Sequence, residues 1–338
     1  LATLPVTRKS DLIKRQAETS PFGGLNGVDV GLVSHIFQSP GPIYEPSGTI
    51  SDYWRMARSF WAAGIRPGMI VHNTFSYHLT PAGMMMDAGA RAIGCPVFPG
   101  GIGNTEQQIA AMLHLKPQAY AGTPSFLKIL LDKAAEAGVK PSYKSAAVGG
   151  EALLPPVRQS IIDHGVTVLQ GYGTADLGLI AYETKAMEGL VMDEGALVEI
   201  VRPGSGDPVA DGEVGEVVVT ILNETYPLVR FATGDLSAVL PGQSPCGRTN
   251  KRIKGWMGRA DQTTKIKGMF VHPEQVNQTT ARHPEILKGR LVVDNVDGKD
   301  IMTLNCEVEG SPEGLAEAVA STMQAVCKLN GSVEFVAP

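Results

Sequence analysis

Three short runs set recognition-type side chains among glycines. They are "GGE" at Gly149–Glu151, "GYGTAD" at Gly171–Asp176 and "FATGDLS" around Asp235. A fourth run, "HIFQSPGPIYEPSGT" from His35 to Thr49, has the composition of a loop able to wrap a phosphate with backbone N–H groups. Its chemistry suits that task poorly. A good phosphate loop is rich in Gly, Ser and Thr with a lysine close by. Here Pro40 and Pro42 have no N–H to offer, and no lysine is near in the sequence. A dinucleotide fingerprint is not met either. "GYGTADLG" begins as G-x-G, but Asp176 stands where the third glycine belongs and would repel a pyrophosphate, and "GGIGNTE" fails likewise at Glu106.

Strand-like and helix-like segments alternate from about residue 68 to 185. "MIVHN" precedes a small-residue helix around Ala82 to Ala92, and Thr105 is placed to cap "EQQIAAMLHL". Thr123 with Pro124 opens a helix that puts Phe126, Leu127, Leu130, Leu131 and Ala134 on one face. "SAAV" and "VTVL" read as short apolar strands, each ending in a glycine-containing turn. Repeated strand–helix units predict a mostly parallel, doubly wound sheet. Ligands of such sheets bind at the carboxyl ends of the strands, where "GGE" and "GYGTAD" fall. After Leu190 the pattern changes to "ALVEIV", "GEVVVTIL" and "LVRFA", predicting an antiparallel β-rich subdomain over 190–245. From "KGWMGRADQ" a small α+β unit is expected, with a strand pair, helices near Pro273–His283 and Pro312–Lys328, and strands "GRLVVDN" and "MTLNCEVE". The fold class is therefore α/β, with a large domain over 1–258 and a small mobile one over 259–338.

The chain of 338 residues is 43% hydrophobic and 19% charged, the balance of a protein with a proper core. Its 29 Lys and Arg against 34 Asp and Glu give a net charge of −5, which argues against a nucleic-acid or membrane surface. The 4 cysteines form no CxxC pair, so a zinc site or disulfide framework is not expected and a reducing cytoplasm is. The uncharged stretch 68–86 contains His72, Asn73 and His78, too polar to cross a bilayer. No signal peptide is visible, and the sequence opens without a methionine, as an incomplete chain would.

Several runs in order resemble the adenylate-forming enzyme superfamily: "VGGEALLPPVRQSI", "QGYGTADLGLIAYE", "GEVGEVVVTI…YPLVRFATGDLS" and "GRADQTTKIKGMFVHPEQV". With the early match of Leu4–Leu12 and Pro21–Gly24 to "LPVTxKxDL…PFGG", the nearest branch is the phenylacetate–coenzyme A ligases. The resemblance covers nearly the whole chain. It implies a two-step reaction, in which a carboxylic acid attacks the α-phosphate of ATP to give an acyl adenylate and pyrophosphate. A thiol, usually that of coenzyme A, then displaces AMP. Positioned donors, Mg²⁺ and held phosphates would carry the developing charge.

The same resemblance assigns roles. Tyr172 would present its ring to adenine between Gly171 and Gly173; the alternative is a tyrosine packed over a sheet end. Gly149, Gly150 and Glu151 would line the other side of the nucleotide. Thr174 would offer a hydroxyl to the α-phosphate. Asp176 stands where the family usually has the glutamate that helps hold Mg²⁺, so Thr174 and Asp176 are the catalytic candidates. Asp235 matches the ribose-binding aspartate, although "TGD" alone is also a common turn, and Arg259 matches the arginine that reaches ribose or phosphate. Asp261 matches the hinge of the small domain, and the loop near Gly268 would approach the thiol. Phe75, Tyr77, His78, Gly122, Pro124 and Gly171 are the acid-pocket candidates and favour a flat aryl acid; His78 also reads as an ordinary satisfied polar residue.

Two departures stand out. The family ends in a lysine that follows a strand like "GSVEFVAP", and this sequence stops at Pro338. Around the phosphate loop only Ser39 and Gly41 are kept; the threonine pair and the terminal Gly-Lys give way to Pro42, Ile43, Tyr44 and Glu45. Bound acyl adenylate is accordingly expected to be favoured over ATP. The expected partners are a small carboxylic acid, ATP and coenzyme A, with neither nucleic acid nor membrane and with a homodimer allowed. The alternatives are a degenerate homologue that binds nucleotide without efficient turnover, and transfer to a carrier protein.

Overall fold

The computed structural model describes the chain except residues 40–41, 261–263, 267–268, 272, 297–298, 311–312 and 337–338. The chain divides into two compact units, 1–233 with 237–256 and 234–236 with 257–338.

In the large unit a nine-stranded sheet runs in the order 239–240, 252–253, 190–192, 178–183, 167–174, 145–148, 119–122, 71–73, 97–99. The last five strands are parallel, with Asn73, Ala121, Ala147 and Leu169 in one row across four of them. Side chains of a strand alternate between faces, and two separate cores follow from that. Ala147 and Leu169 join Phe60, Val71 and Met85 on one face, while Ala146, Val148 and Val168 join Leu127, Leu130 and Ile161 on the other. Strands covered on both faces need no polar alternation, which is why Ala119–Gly122 and Ser145–Val148 are buried throughout.

The helices that cover these faces start and stop where the sequence suggests. Ala82–Ala92 has the expected bounds. Pro124–Glu136 begins with proline in its first turn, and the Thr123 hydroxyl accepts from the Phe126 N–H. Thr105 does not cap; it is the first helical residue, and Asn104 at the cap position is left-handed with no side-chain cap bond.

The 190–245 stretch divides between two sheets. Leu197–Val201, Gly215–Ile221 and Leu228–Ser237 form a four-stranded sheet with the two-residue strand Thr7–Arg8, whereas Leu190–Met192 and Val239–Leu240 extend the nine-stranded one. Thr7 pairs in parallel with Phe231. His35–Thr49 is not an open loop: His35–Ser39 and Ile43–Ser47 form an antiparallel hairpin from His35↔Ser47 to Ser39↔Ile43.

The small unit holds the strand pair Thr264–Ile266 and Met269–Val271, and a three-stranded sheet of 286–296, 299–308 and 332–336. Helices Pro273–Thr280 and Leu315–Cys327 complete it, shorter than the sequence suggests at the end of the first and the start of the second. Its own core includes Ile266, Met302, Leu304, Cys306, Val319 and Met323. All four cysteines are free, and Cys95, Cys306 and Cys327 are buried.

Candidate functional site

Thr167–Thr174 is the strand on which the sheet changes sense. Its first half pairs in parallel with Ser145–Val148. Its second half pairs antiparallel with Gly178–Glu183, and the register shifts between Tyr172 and Gly173. The two glycine turns meet there backbone to backbone. A Cβ on Gly149 would stand 3.1 Å from the Gly171 carbonyl oxygen, and one on Gly173 only 2.5 Å from that of Gly178. Only glycine permits the second approach. A cavity of about 130 Å³ opens beside the turns, lined by Gly149, Gly150, Gly171, Gly173 and Thr174 together with Phe75. Met56, Pro81, Ala82, Met85 and Met86 line it too, so the space is mainly apolar.

Of the residues expected in an acid pocket, Phe75 and Gly171 line this cavity. The others are engaged elsewhere. The Tyr77 hydroxyl accepts from the Asn73 side-chain amide at 2.7 Å. His78 is exposed, and its N–H donates to the Ser76 hydroxyl. Gly122 is pressed against Thr74 and Tyr120, and Pro124 is buried in the first turn of its helix. The methionine wall comes instead from the helix Ala82–Ala92 and from Met56, immediately before the helix Ala57–Ala62.

Tyr172 is half-buried and its hydroxyl meets the Thr233 hydroxyl at 3.2 Å. The Thr174 hydroxyl accepts from the Leu177 N–H at 3.2 Å, which ties down the turn carrying Asp176. Glu151 is exposed and one carboxylate oxygen accepts from the Ser125 N–H at 2.7 Å. In the small unit, Asp235 and Arg259 are backbone bridge partners, and the Arg259 guanidinium donates to the Asp235 carboxylate at 3.1 Å. The guanidinium lies across Gly234, where a Cβ would come within 2.5 Å of it. Gly41, Asp261 and Gly268 lie outside the described residues.

The hairpin brings in a residue that sequence spacing had not flagged. Lys9, the first residue of the helix Lys9–Glu18, places its ammonium 2.8 Å from Asp176 Oδ2 and 3.4 Å from Glu45 Oε1. The Ser39 hydroxyl donates to the same Glu45 oxygen at 2.5 Å. Glu45 Oε2 and Asp176 Oδ1 are buried without a hydrogen-bond partner. Burial first, and then the charge of Asp176, push the Glu45 carboxyl well above its ordinary range. Burial pulls the Lys9 ammonium down, but Asp176 and then Glu45 outweigh it and raise the group overall. Asp176 as arranged suits a divalent ion poorly, because its Oδ2 holds an ammonium whose charge repels a second cation from the buried Oδ1. No cluster of three or more His, Cys, Asp or Glu suited to a metal occurs among the described residues.

Comparison with known proteins bears on what this arrangement serves. A family model described as AMP-binding enzyme matches residues 74–221, which contain both glycine turns. The phenylacetate–coenzyme A ligase of Thermus thermophilus is 31% identical over 316 residues, 88% of this chain and 69% of that protein. That of Aromatoleum evansii is 31% identical over 329 residues, 93% of this chain and 73% of that protein. The chain belongs to the phenylacetate–coenzyme A ligase family of AMP-binding enzymes. A crystal structure of 2-hydroxyisobutyryl-CoA ligase, open and in complex with 2-HIB-AMP and CoA, superposes with a TM-score of 0.87 at 26% identity, covering 100% of this chain and 78% of that one.

Within this ligase family chain, the parallel sheet carries a buried polar network beneath the turns. His72 Nε2 donates to Gln108 Oε1 at 2.8 Å, and its Nδ1 accepts from the Tyr143 hydroxyl at 2.6 Å. The Thr74 and Tyr120 hydroxyls pair at 2.8 Å. Burial lowers the His72 imidazole to about 4, so it is neutral at pH 7 and serves as structure. Nothing local marks these partners, since Gln108 and Tyr143 lie 36 and 71 residues from His72.

Proposed function

We propose that this chain activates a small, largely apolar carboxylic acid, with an aryl or arylacetyl acid favoured, and passes it to coenzyme A. The acid carboxylate attacks the α-phosphate of ATP, forming the acyl–phosphate bond and expelling pyrophosphate. The coenzyme A thiol then forms the thioester, giving up its proton as AMP leaves. The observation that carries the reading is the apolar cavity opening at the two glycine turns, within a chain so similar to phenylacetate–coenzyme A ligases. A dry cavity of roughly 150 Å³ holds a benzene ring, and the space here is of that order. Its lining combines glycine backbone at the turns with methionine side chains, which suits a carboxylate head and an apolar body.

In this reading Tyr172 offers its ring to adenine, Gly149, Gly150 and Glu151 line the opposite side, and Thr174 meets the α-phosphate. In the small unit Asp235 accepts from ribose hydroxyls while Arg259 holds the carboxylate and reaches the sugar or phosphate. Asp235→Ala is then expected to weaken AMP binding by roughly 2–4 kcal/mol, from two lost charge-assisted hydrogen bonds. Asp261 would be the hinge of a small domain starting near 259. Mg²⁺ bound to the triphosphate would neutralise its charge; Asp176 is given no part in holding it. No helix among the described residues is long and apolar enough to cross a membrane; the reading puts the reaction in the cytoplasm, and a homodimer is compatible with it. AMP release from a panel of carboxylic acids, with and without coenzyme A, tests the assignment. Turnover of aryl acids that depends on coenzyme A is expected, and no release with any acid would sink it.

A further inference from the structure

Three remote segments converge on one ammonium: Lys9 from the first helix, Glu45 from the hairpin and Asp176 from the turn after Thr167–Thr174. The carboxylate side chains are 2% and 1% exposed, whereas that of Lys9 is 34% exposed. Lysine is therefore the member of the trio that an entering ligand reaches. Two of its three N–H donors go to the carboxylates, leaving a third. Glu45 stands where the family loop ends in lysine, so the loop itself brings negative charge. The positive charge at this place comes from the helix instead.

We propose that Lys9 is the resident cation of this site: its ammonium fills the cation seat on Asp176, and its remaining N–H takes an oxygen of the nucleotide's phosphate chain. The second half rests on the nucleotide reading above, and the first does not. An ammonium 2.8 Å from Asp176 Oδ2 holds that oxygen, and its charge repels a divalent ion from the neighbouring Oδ1, which is buried. The cation is also covalently part of the fold, so it is in place before any ligand arrives. Because Asp176 shares it, only part of the lysine's charge is available to the phosphate chain.

Mn²⁺ titration of the whole chain, followed by electron paramagnetic resonance, reads the seat directly. Wild type is expected to bind Mn²⁺ weakly, with an isotherm unchanged by Asp176→Asn. Lys9→Gln keeps a hydrogen-bond donor but removes the charge, and should gain a Mn²⁺ site at least tenfold tighter that disappears in Lys9→Gln/Asp176→Asn. Tight Mn²⁺ binding by wild type that Asp176→Asn abolishes would overturn the proposal, and this arm needs no folded Lys9 variant. For the anion, the affinity of ADP relative to AMP should fall at least fivefold in Lys9→Gln and be restored in Lys9→Arg. If Lys9→Gln does not fold, Lys9→Arg serves alone, the ratio staying within twofold of wild type if Lys9 contacts phosphate through a charge. An unchanged ratio in folded Lys9→Gln, or a lost one in Lys9→Arg, overturns the assignment. AMP that fails to bind wild type would count against the nucleotide reading itself and leave the Mn²⁺ result standing.

Discussion

The glycine turns at the end of the parallel sheet and the hairpin His35–Ser47 offer opposite surfaces to a ligand. At the turns the chain removes side chains, so that Gly149 and Gly173 lie against neighbouring backbone and the cavity opens beside them. At the hairpin the backbone pairs strand to strand and with Leu79 and Gln16, and what faces Lys9 is side-chain acid, the Asp176 carboxylate and the Glu45 carboxyl. The first surface is built from short-range rules and accepts apolar or peptide-like contact. The second depends on residues far apart in sequence and accepts or refuses ligands by charge. Shape and charge are thus held by different parts of the large unit, and each can be altered without rebuilding the other.

The largest effect should come from stripping the hairpin of its cation. Lys9→Leu leaves the buried Asp176 carboxylate beside the Glu45 carboxyl with no cation, and is expected to cost roughly 3–5 kcal/mol in urea unfolding, toward the lower figure because Lys9 is partly exposed. Glu45→Gln, which replaces a carboxyl pushed up to about 8 by burial and Asp176 and so largely proton-bearing near neutral pH, should cost under about 1 kcal/mol. If both cost the same, the trio does not act as a unit.

The two regions should also respond to pH in opposite senses. His72, beneath the turns, has its folded value lowered from 6.5 to about 4. The unfolded chain therefore binds the proton first, and roughly 3 kcal/mol of stability is lost as pH falls from 6.5 through 4. Glu45 is raised, so its contribution is full below the ordinary carboxyl range and is lost as pH rises through the folded value. Between about pH 4.5 and 6.5 the two contributions offset each other, so urea unfolding of wild type should show a loss chiefly from about pH 6.5 to 8, where Glu45 alone acts, and Glu45→Gln should lose that alkaline slope. A variant that keeps it would relocate that slope to another group.

Smaller effects belong to the ligand side of the turns. Tyr172→Ala should weaken AMP binding by about 1–3 kcal/mol if adenine stacks there, measured by calorimetry. Phe75→Leu should raise KM for an aryl acid several-fold, about 1 kcal/mol, while leaving an aliphatic acid of similar size less affected. Equal change for both acids would mean that Phe75 supplies bulk rather than a ring face.

Much of the parallel sheet was legible because its rules are local. Thr123 followed by Pro124 marks a helix start, and the spacing of Leu127, Leu130, Leu131 and Ala134 marks its buried face. Glycine doublets at the ends of apolar strands marked the turns. The rest depended on partners that no window of sequence contains. Composition alone made His35–Thr49 a loop, yet the Ser39↔Ile43 to His35↔Ser47 ladder makes it a hairpin. Met56, Met85 and Met86 read as core in their helices and become a cavity wall only when the sheet sets those helices side by side. Tyr77 and His78 do not line the cavity; the Tyr77 hydroxyl accepts from the Asn73 amide and His78 is exposed.

The parallel pairing of Thr7 with Phe231 also has a meaning in time. The two residues are 231 − 7 = 224 positions apart, and at 5–20 residues per second a ribosome needs about 10–45 s to make the second after the first. Until then the opening segment has no sheet to join, and the Arg230 side chain that binds the Ala2 and Leu4 carbonyls does not yet exist. Leu12, fully buried at the end, spends that interval uncovered. The growing chain therefore carries the Thr7–Leu12 segment uncovered for that interval, and a holding chaperone would find a target there.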